Sequence, residues 1–249
     1  MPSVGDIYDA IDRFAPFSSQ DSFDRCGLDV GSREQSVCGI LTCLDVTPDI
    51  IRQAAQADAN LIVCHHPLFF HAIQSISPES VVWKLIQAGI SVISTHTPWD
   101  ICAGGVNDCL ASKLRLTNVR AIGSYIRIGD LPSEMSAEAL CAYTAKCLNT
   151  PILYNGVPAL CRTLALVGGA AGGDMPDAYS NGADAYLTGE ARYHTFLESQ
   201  TVRKPLLTAG HFETEHPSIA ELTRRLQSAF PDLPIRQAEE KPPIHTILP

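Results

Sequence analysis

Strand and helix patterns alternate along almost the whole of this 249-residue chain, and this alternation limits what it can fold into. Short apolar runs typical of buried strands, such as NLIVC at 60–64 and KPLLTA at 204–209, precede amphipathic segments. Such alternation predicts an α/β fold with mixed, mostly parallel sheets. Because three strand–helix units occur in each half, we expect two pseudo-repeats, 1–122 and 123–249, that pack closely or intertwine without a flexible linker.

Several helix boundaries are marked by residues with a physical preference for them. Thr47 and Pro48 predict a helix start, as the N-cap and the first helical residue. Ser136 predicts the start of another helix, and Gly89 predicts a helix end, where the backbone often becomes left-handed.

The composition argues against several classes of protein. The formal net charge is −9 without a cluster of Lys or Arg, so the surface would repel nucleic-acid phosphates. No apolar segment approaches the roughly 20 residues that a membrane helix needs. The first residues lack a signal-peptide pattern, and the nine cysteines include no C-x-x-C pair. We therefore expect a cytoplasmic protein without disulfide bonds, acting on a small molecule.

Histidines and carboxylates follow several of the predicted strands. Ligands of open parallel sheets bind beyond the carboxyl ends of the strands, so these side chains should converge there. Convergence from separate rigid elements is what a metal site requires. The sequence therefore predicts a metal centre. The side chains in question are Asp45, His65, His66, His96, Asp100, Glu190, His194, His211, Glu213 and Glu215.

Each of these residues also has a plainer interpretation when it is taken alone. Asp100 and Glu190 would suit the starts of helices. Cys64, beside the histidine pair, is more typical of a small buried hydrophobe than of a ligand. The remaining histidines we interpret as structural or solvated; they are His71, His216 and His245.

Two adjacent imidazoles, His65 and His66, stand where a buried strand ends. Side chains alternate between the faces of a strand, so the two rings would diverge if the strand continued. Pro67 prevents a regular ladder and lets both rings face one cleft. Two metal ions, which lie roughly 3.5–4 Å apart in hydrolytic sites, accommodate adjacent ligands more readily than one ion does.

Four segments together carry a resemblance to a known family: LDVTPDIIRQAAQADANLIVCHHPLFF at 44–70, STHTPWD at 94–100, YLTGEARYH at 186–194 and AGHFETE at 209–215. The chain resembles the dinuclear-metal-centre proteins called GTP cyclohydrolase 1 type 2 homologues. The resemblance implies two intertwined α/β repeats in the short form, without an inserted domain, and a toroidal homohexamer. It also implies that five residues bind two divalent ions: His65, His66, Asp100, His211 and Glu215.

Nitrogen and oxygen ligands of this kind suit zinc, iron, manganese or nickel. The activity that the family name implies is hydrolysis of the guanine imidazole ring of GTP, with release of formate. We expect His96 to transfer protons, with Glu190 and His194 behind it, because histidine titrates near neutral pH. A hydrogen bond from His96 to a ligand carboxylate is an equal alternative.

Two loops depart from the family pattern. Pro98 replaces the asparagine of the usual H-T-N-x-D, and Phe23-Asp24-Arg25 stands where Trp-Asp-Asn is usual. The five expected ligands are intact, so the metal site transfers more directly than a particular activity. A different phosphoester or amidine hydrolase and a non-catalytic metal-binding ring are the alternative functions.

A glycine-rich loop, GGAAGG at 168–173, has two interpretations. Its backbone N–H groups would suit a triphosphate. The loop matches neither the P-loop nor the G-x-G-x-x-G pattern, however, and a sharp turn between a strand and a helix is the favoured interpretation.

Overall fold

Two mixed β-sheets, one in each of two structural units, position the candidate site residues. The structure, a computed structural model, describes residues Met1–His245. The first unit consists of Met1–Ala103 and Ile219–Lys241, and the second of Gly104–Ser218 with residues 242–245. The mixed α/β class expected from the sequence is confirmed.

The first unit is built on a five-stranded sheet. Numbered in chain order, its elements are α1 (Val4–Phe14), a 3-10 turn (Phe17–Ser19), β1 (Gly27–Val30), β2 (Ile40–Cys43), α2 (Pro48–Gln56), β3 (Leu61–Cys64), α3 (Val81–Ala88), β4 (Ser91–Ser94), α4 (His96–Ile101), α10 (Pro217–Ala229, in this unit from Ile219) and β11 (Ile235–Gln237). The strand order is β1-β4-β3-β2-β11. All neighbours are parallel except β1 and β4.

The second unit is built on a six-stranded sheet. Its elements are α5 (Val106–Lys113), β5 (Thr117–Ile122), β6 (Ile126–Ser136), α6 (Ala137–Leu148), β7 (Leu153–Tyr154), β8 (Leu160–Val167), a 3-10 turn (Gly172–Asp174), α7 (Met175–Ser180), β9 (Ala185–Thr188), α8 (Tyr193–Thr201), β10 (Leu206–Thr208) and α9 (His211–Glu215). The strand order is β5-β6-β8-β9-β10-β7. The β8–β9 and β9–β10 pairs are parallel, and the others are antiparallel.

The two units are defined by contacts in space rather than by order in the sequence. The chain leaves the first unit after Ala103 and later returns to it with α10 and β11. The bounds expected from the sequence, 1–122 and 123–249, divide the chain by its repeated strand–helix pattern and not by these contacts. Those bounds stay a prediction.

The parallel strands of each sheet end at the same level. In the first sheet Cys43 pairs with Cys64, and Cys64 pairs with Ser94. In the second sheet Thr188 pairs with both Val167 and Thr208. The residues that follow these strands therefore gather at one edge of each sheet, as the sequence predicted.

Burial on both faces holds these strands in place. Every residue of β2, β3 and β4 is buried, which is typical of parallel strands covered by helices. Ile50 of α2 and Leu85 of α3 pack in one core cluster with Ile62. Within Met1–His245, no helix has both the length and the apolar character needed to cross a bilayer.

The predicted helix boundaries are confirmed at several residues. Thr47 caps α2 by accepting a hydrogen bond from Ile50 N at 3.3 Å, and Pro48 is the first helical residue. Ser136 caps α6, and Gly89 ends α3 at φ +66°. The sequence pattern did not predict the short helices α4 and α9, which begin soon after β4 and β10.

We expect Gly89→Ala to lower the free energy of unfolding by about 1 kcal/mol, because a Cβ is disfavoured at a left-handed φ. A Cβ at Gly89 meets no atom within 4 Å, so backbone strain is the cause. Urea unfolding measures the effect. Gly173→Ala is the control, since its Cβ also meets nothing within 4 Å and its φ is not left-handed. Equal stability of the two variants would contradict the prediction.

Candidate metal centre

His66 is held at the end of β3 by a carboxylate from the end of β2. Its Nδ1 lies 2.8 Å from Asp45 Oδ1. When a carboxylate accepts a hydrogen bond at Nδ1 of a neutral imidazole, Nδ1 carries the proton and Nε2 keeps the lone pair that a metal requires. The contact therefore prepares His66 as an Nε2 donor.

Asp45 is supported in turn by Glu240, which the sequence analysis missed. The Glu240 carboxylate accepts hydrogen bonds from Leu44 N at 3.0 and 2.9 Å and from Asp45 N at 3.2 Å. Burial raises the pKa of Glu240, and the bonds from these two N–H groups oppose the shift. The C-terminal segment thus fixes the backbone beneath the Asp45–His66 pair.

His96 has a carboxylate partner of its own. Its Nδ1 lies 2.9 Å from Oδ1 of Asp24, which is fully buried. One ring nitrogen of His96 and one from each of His65 and His66 lie within 4.8 Å of one another. The first unit therefore presents three imidazoles as a group, and His96, which we expected to transfer protons, belongs to it.

The remaining expected metal ligand of this unit is Asp100, on α4. Its Oδ1 lies 3.5 Å from Nε2 of His65, whose side chain is fully buried. Two donors on one ion with bonds of about 2 Å are roughly 3–3.4 Å apart, so the observed spacing is within about 0.1 Å of that for a shared cation and longer than an ordinary hydrogen bond. Of the candidates in this unit, His65, His66, His96 and Asp100 are brought together.

The second unit presents a separate donor group on α9. His211 and Glu215 occupy the first and last positions of this helix, and His211 Nε2 lies 3.1 Å from Glu215 Oε2. His211 Nδ1 lies 3.0 Å from Glu190 Oε1. Glu190 therefore orients the imidazole, and the sequence signal for the pair of donors was their four-residue spacing.

The glycine-rich turn after β8 supports this second group. Gly168 N donates to Asn107 Oδ1 at 2.8 Å, and Gly169 N donates to Thr214 Oγ1 at 3.1 Å. Both N–H groups are therefore engaged by the protein, which favours the sharp turn over a phosphate cradle. A Cβ at Gly169 would overlap Glu215 Oε1, so only glycine leaves room for the buried carboxylate.

Two further residues considered in the sequence analysis, His194 and Cys64, are in neither donor group. His194 is an exposed residue of α8, and its catalytic role stays a prediction. Cys64 is fully buried, and burial raises the pKa of its thiol well above the ordinary value. Cys64 therefore behaves as a core residue, and all nine cysteines are free thiols.

The chemistry of the two donor groups fits divalent metal ions. Each group combines imidazole nitrogen with carboxylate oxygen, without an available thiolate. Carboxylates lie at Nδ1 of His66, His96 and His211, the arrangement that orients metal-binding histidines.

Comparison with known sequences gives a consistent family assignment. The model of Duf34/NIF3 (NGG1p interacting factor 3) matches residues 2–243. A GTP cyclohydrolase 1 type 2 homolog of Clostridium acetobutylicum is 30% identical over 242 residues, covering 91% of this chain and 90% of the relative. One of Clostridium perfringens is 29% identical over 238 residues, covering 90% and 91%.

Solved structures share the fold. A Staphylococcus aureus hypothetical protein, SA1388, has a TM-score of 0.95 at 23% identity, covering 99% of this chain and 100% of its own. A Bacillus cereus protein related to NIF3 has a TM-score of 0.93 at 19% identity, covering 99% of each chain. At these identities the likeness concerns the fold alone.

We expect Gly169→Ala to displace Glu215 and to weaken Zn²⁺ binding about tenfold or more, because its Cβ would overlap the carboxylate. Gly156→Ala is the matched control, since its φ of +76° is also left-handed and its Cβ meets no atom within 4 Å. Both variants should lose about 1 kcal/mol of stability from backbone strain. Titration with Zn²⁺ separates them, and equal affinity would contradict the role of Gly169.

Proposed function

Because the chain belongs to the Duf34/NIF3 family, we propose that it is a hydrolase that depends on two divalent metal ions. The proposed ligands are the five expected from the sequence: His65, His66, Asp100, His211 and Glu215. The observation that carries the proposal is the placement of a carboxylate at Nδ1 of His66 and of His211, which leaves Nε2 of each as the donor.

Five protein ligands are too few to saturate two ions, and open positions are typical of catalytic rather than structural sites. When bound, divalent ions would act as Lewis acids and lower the pKa of a water molecule so that it is a nucleophile near neutral pH.

The chain's own residues would bind the ions and manage protons. His96, held by Asp24, is proposed to accept a proton from the attacking water and to return it to the leaving nitrogen. Glu190 is proposed to act through His211, whose ring it orients. A direct catalytic role for Glu190 or His194 stays a prediction, as does the homohexamer.

The proposed substrate is GTP, because relatives that span nearly the whole chain are named GTP cyclohydrolase 1 type 2 homologs. In that reaction a first water attacks C8 of the guanine base and opens the imidazole ring to a formamide, and a second water hydrolyses the formamide so that C8 leaves as formate. The two ribose carbons nearest the base then close the new ring with loss of one water. The product is a pterin triphosphate.

Protein purified without chelator should contain about two divalent ions per chain. We expect His65→Gln and Glu215→Gln each to lower that content, because each removes a proposed ligand. Elemental analysis measures it. His71→Gln is the control, since His71 is exposed and outside both donor groups. Only trace metal in the wild-type protein would overturn the proposal.

Metal-loaded protein incubated with GTP should release formate, and Glu215→Gln should not. Parallel assays of formate and of inorganic phosphate distinguish the possible outcomes. Phosphate without formate would replace the cyclohydrolase assignment with a phosphoester hydrolase. Neither product, in protein that holds its metal, would overturn hydrolysis of GTP and favour the non-catalytic ring.

A further inference from the structure

Asp24 is a fully buried carboxylate in the loop before β1. Its Oδ1 accepts a hydrogen bond from Arg25 N at 2.7 Å and lies 2.9 Å from His96 Nδ1. Its Oδ2 accepts from Thr97 N at 3.1 Å and from the Thr97 hydroxyl. Both oxygens thus face donors.

The surroundings of Asp24 favour its ionised form. Burial by itself raises the pKa of Asp24, but the hydrogen bonds from His96 and Thr97 outweigh burial and lower the pKa below its ordinary value. An ionised carboxylate only accepts hydrogen bonds. Two unprotonated acceptors 2.9 Å apart would repel each other, so the contact favours a proton on the facing Nδ1 of His96.

We propose that Asp24 is a positioning residue that keeps the proton of neutral His96 on Nδ1 and so leaves Nε2 as an unprotonated acceptor. The His96 ring lies beside two of the proposed metal ligands. The His96 ring lies 5.3 Å from that of His65 and 5.7 Å from that of His66, measured between centroids. Only the role of Nε2 as a proton acceptor rests on the proposed function, because the tautomer follows from Asp24 alone.

Asp24 also has a simpler role, as an anchor that ties its loop to α4 through Thr97. Asp24→Asn separates the two roles. Thr97 presents two donors and Arg25 N presents one, so the amide oxygen would stay on Thr97 and the bond from Arg25 N would be lost. The amide NH₂ would then face His96 Nδ1 and donate to it. The proton of His96 would then move to Nε2, whereas an anchoring role alone predicts no change of tautomer.

The tautomer is measured by long-range ¹H–¹⁵N NMR of chelator-treated protein labelled with ¹⁵N-histidine, above the pH range in which imidazole titrates. His96→Gln identifies the His96 signals. We expect a protonated Nδ1 and an unprotonated Nε2 in the wild-type protein, and the reverse in Asp24→Asn. A wild-type His96 protonated at Nε2 would overturn the proposal even if the variant failed to fold.

Thr97→Val is the matched control. It removes the hydroxyl that donates to Asp24 but keeps the Asp24–His96 contact, so the tautomer should stay that of the wild type. A reversed tautomer in Thr97→Val, or an unchanged one in folded Asp24→Asn, would overturn the proposal.

Turnover gives a second readout in metal-loaded protein. Asp24→Asn should keep the wild-type metal content while kcat for formate release falls about a hundredfold or more and KM changes little. Loss of metal from Asp24→Asn would overturn the acceptor role, because Asp24 would then support metal binding through α4. If wild-type protein releases no formate, the proposed function fails while the tautomer result stands.

Discussion

The candidate site depends on one constraint, which is that neighbouring parallel strands end at the same level in each sheet. In the first sheet the pairing of Cys43, Cys64 and Ser94 places the residues that follow β2, β3 and β4 at one height. A shift of β3 by one residue would put one of the two histidines in the place of the other, carry the second out of the site, and turn each side chain to the opposite face. Buried strands, rather than loops, therefore set where the imidazoles lie, and such rigidity is what a metal site requires.

The two units use the same local arrangement in different ways. In each, a parallel strand leads into a short helix that begins with histidine, followed four residues later by a carboxylate. On α9 the two side chains face each other, since His211 Nε2 lies 3.1 Å from Glu215. On α4 the carboxylate of Asp100 faces His65 from the neighbouring strand instead, and His96 is held by Asp24. The repeated pattern is thus one of backbone geometry, with the donors paired separately in each unit.

Much of the fold was predictable from sequence because it is locally encoded. Apolar runs identified the buried strands, and Thr47, Ser136 and Gly89 marked helix ends through their own conformational preferences. The residues at the strand ends followed from the parallel sheet. The helices α4 and α9 were missed because six and five residues are too few to show a helical period of apolar residues.

The partners of the donors were harder to predict than the donors. Asp24 meets His96, and Glu240 meets the backbone of Asp45, across long stretches of sequence. No local propensity encodes such contacts, because tertiary packing creates them. Asp24 was noted only as part of an unusual loop, and Glu240 lies near no recognised motif.

The pairing of β11 with β2 has a consequence for how the protein is made. These neighbours are separated in sequence by the entire second unit, so a ribosome releases β2, β3 and β4 long before β11 exists. Until then the β2 edge of the nascent sheet offers unpaired backbone groups to other chains. Closing so long a loop also makes this pairing a slow, late step. Since Glu240 follows β11, the backbone under Asp45 is secured only after residues 104–218 of the second unit have been translated.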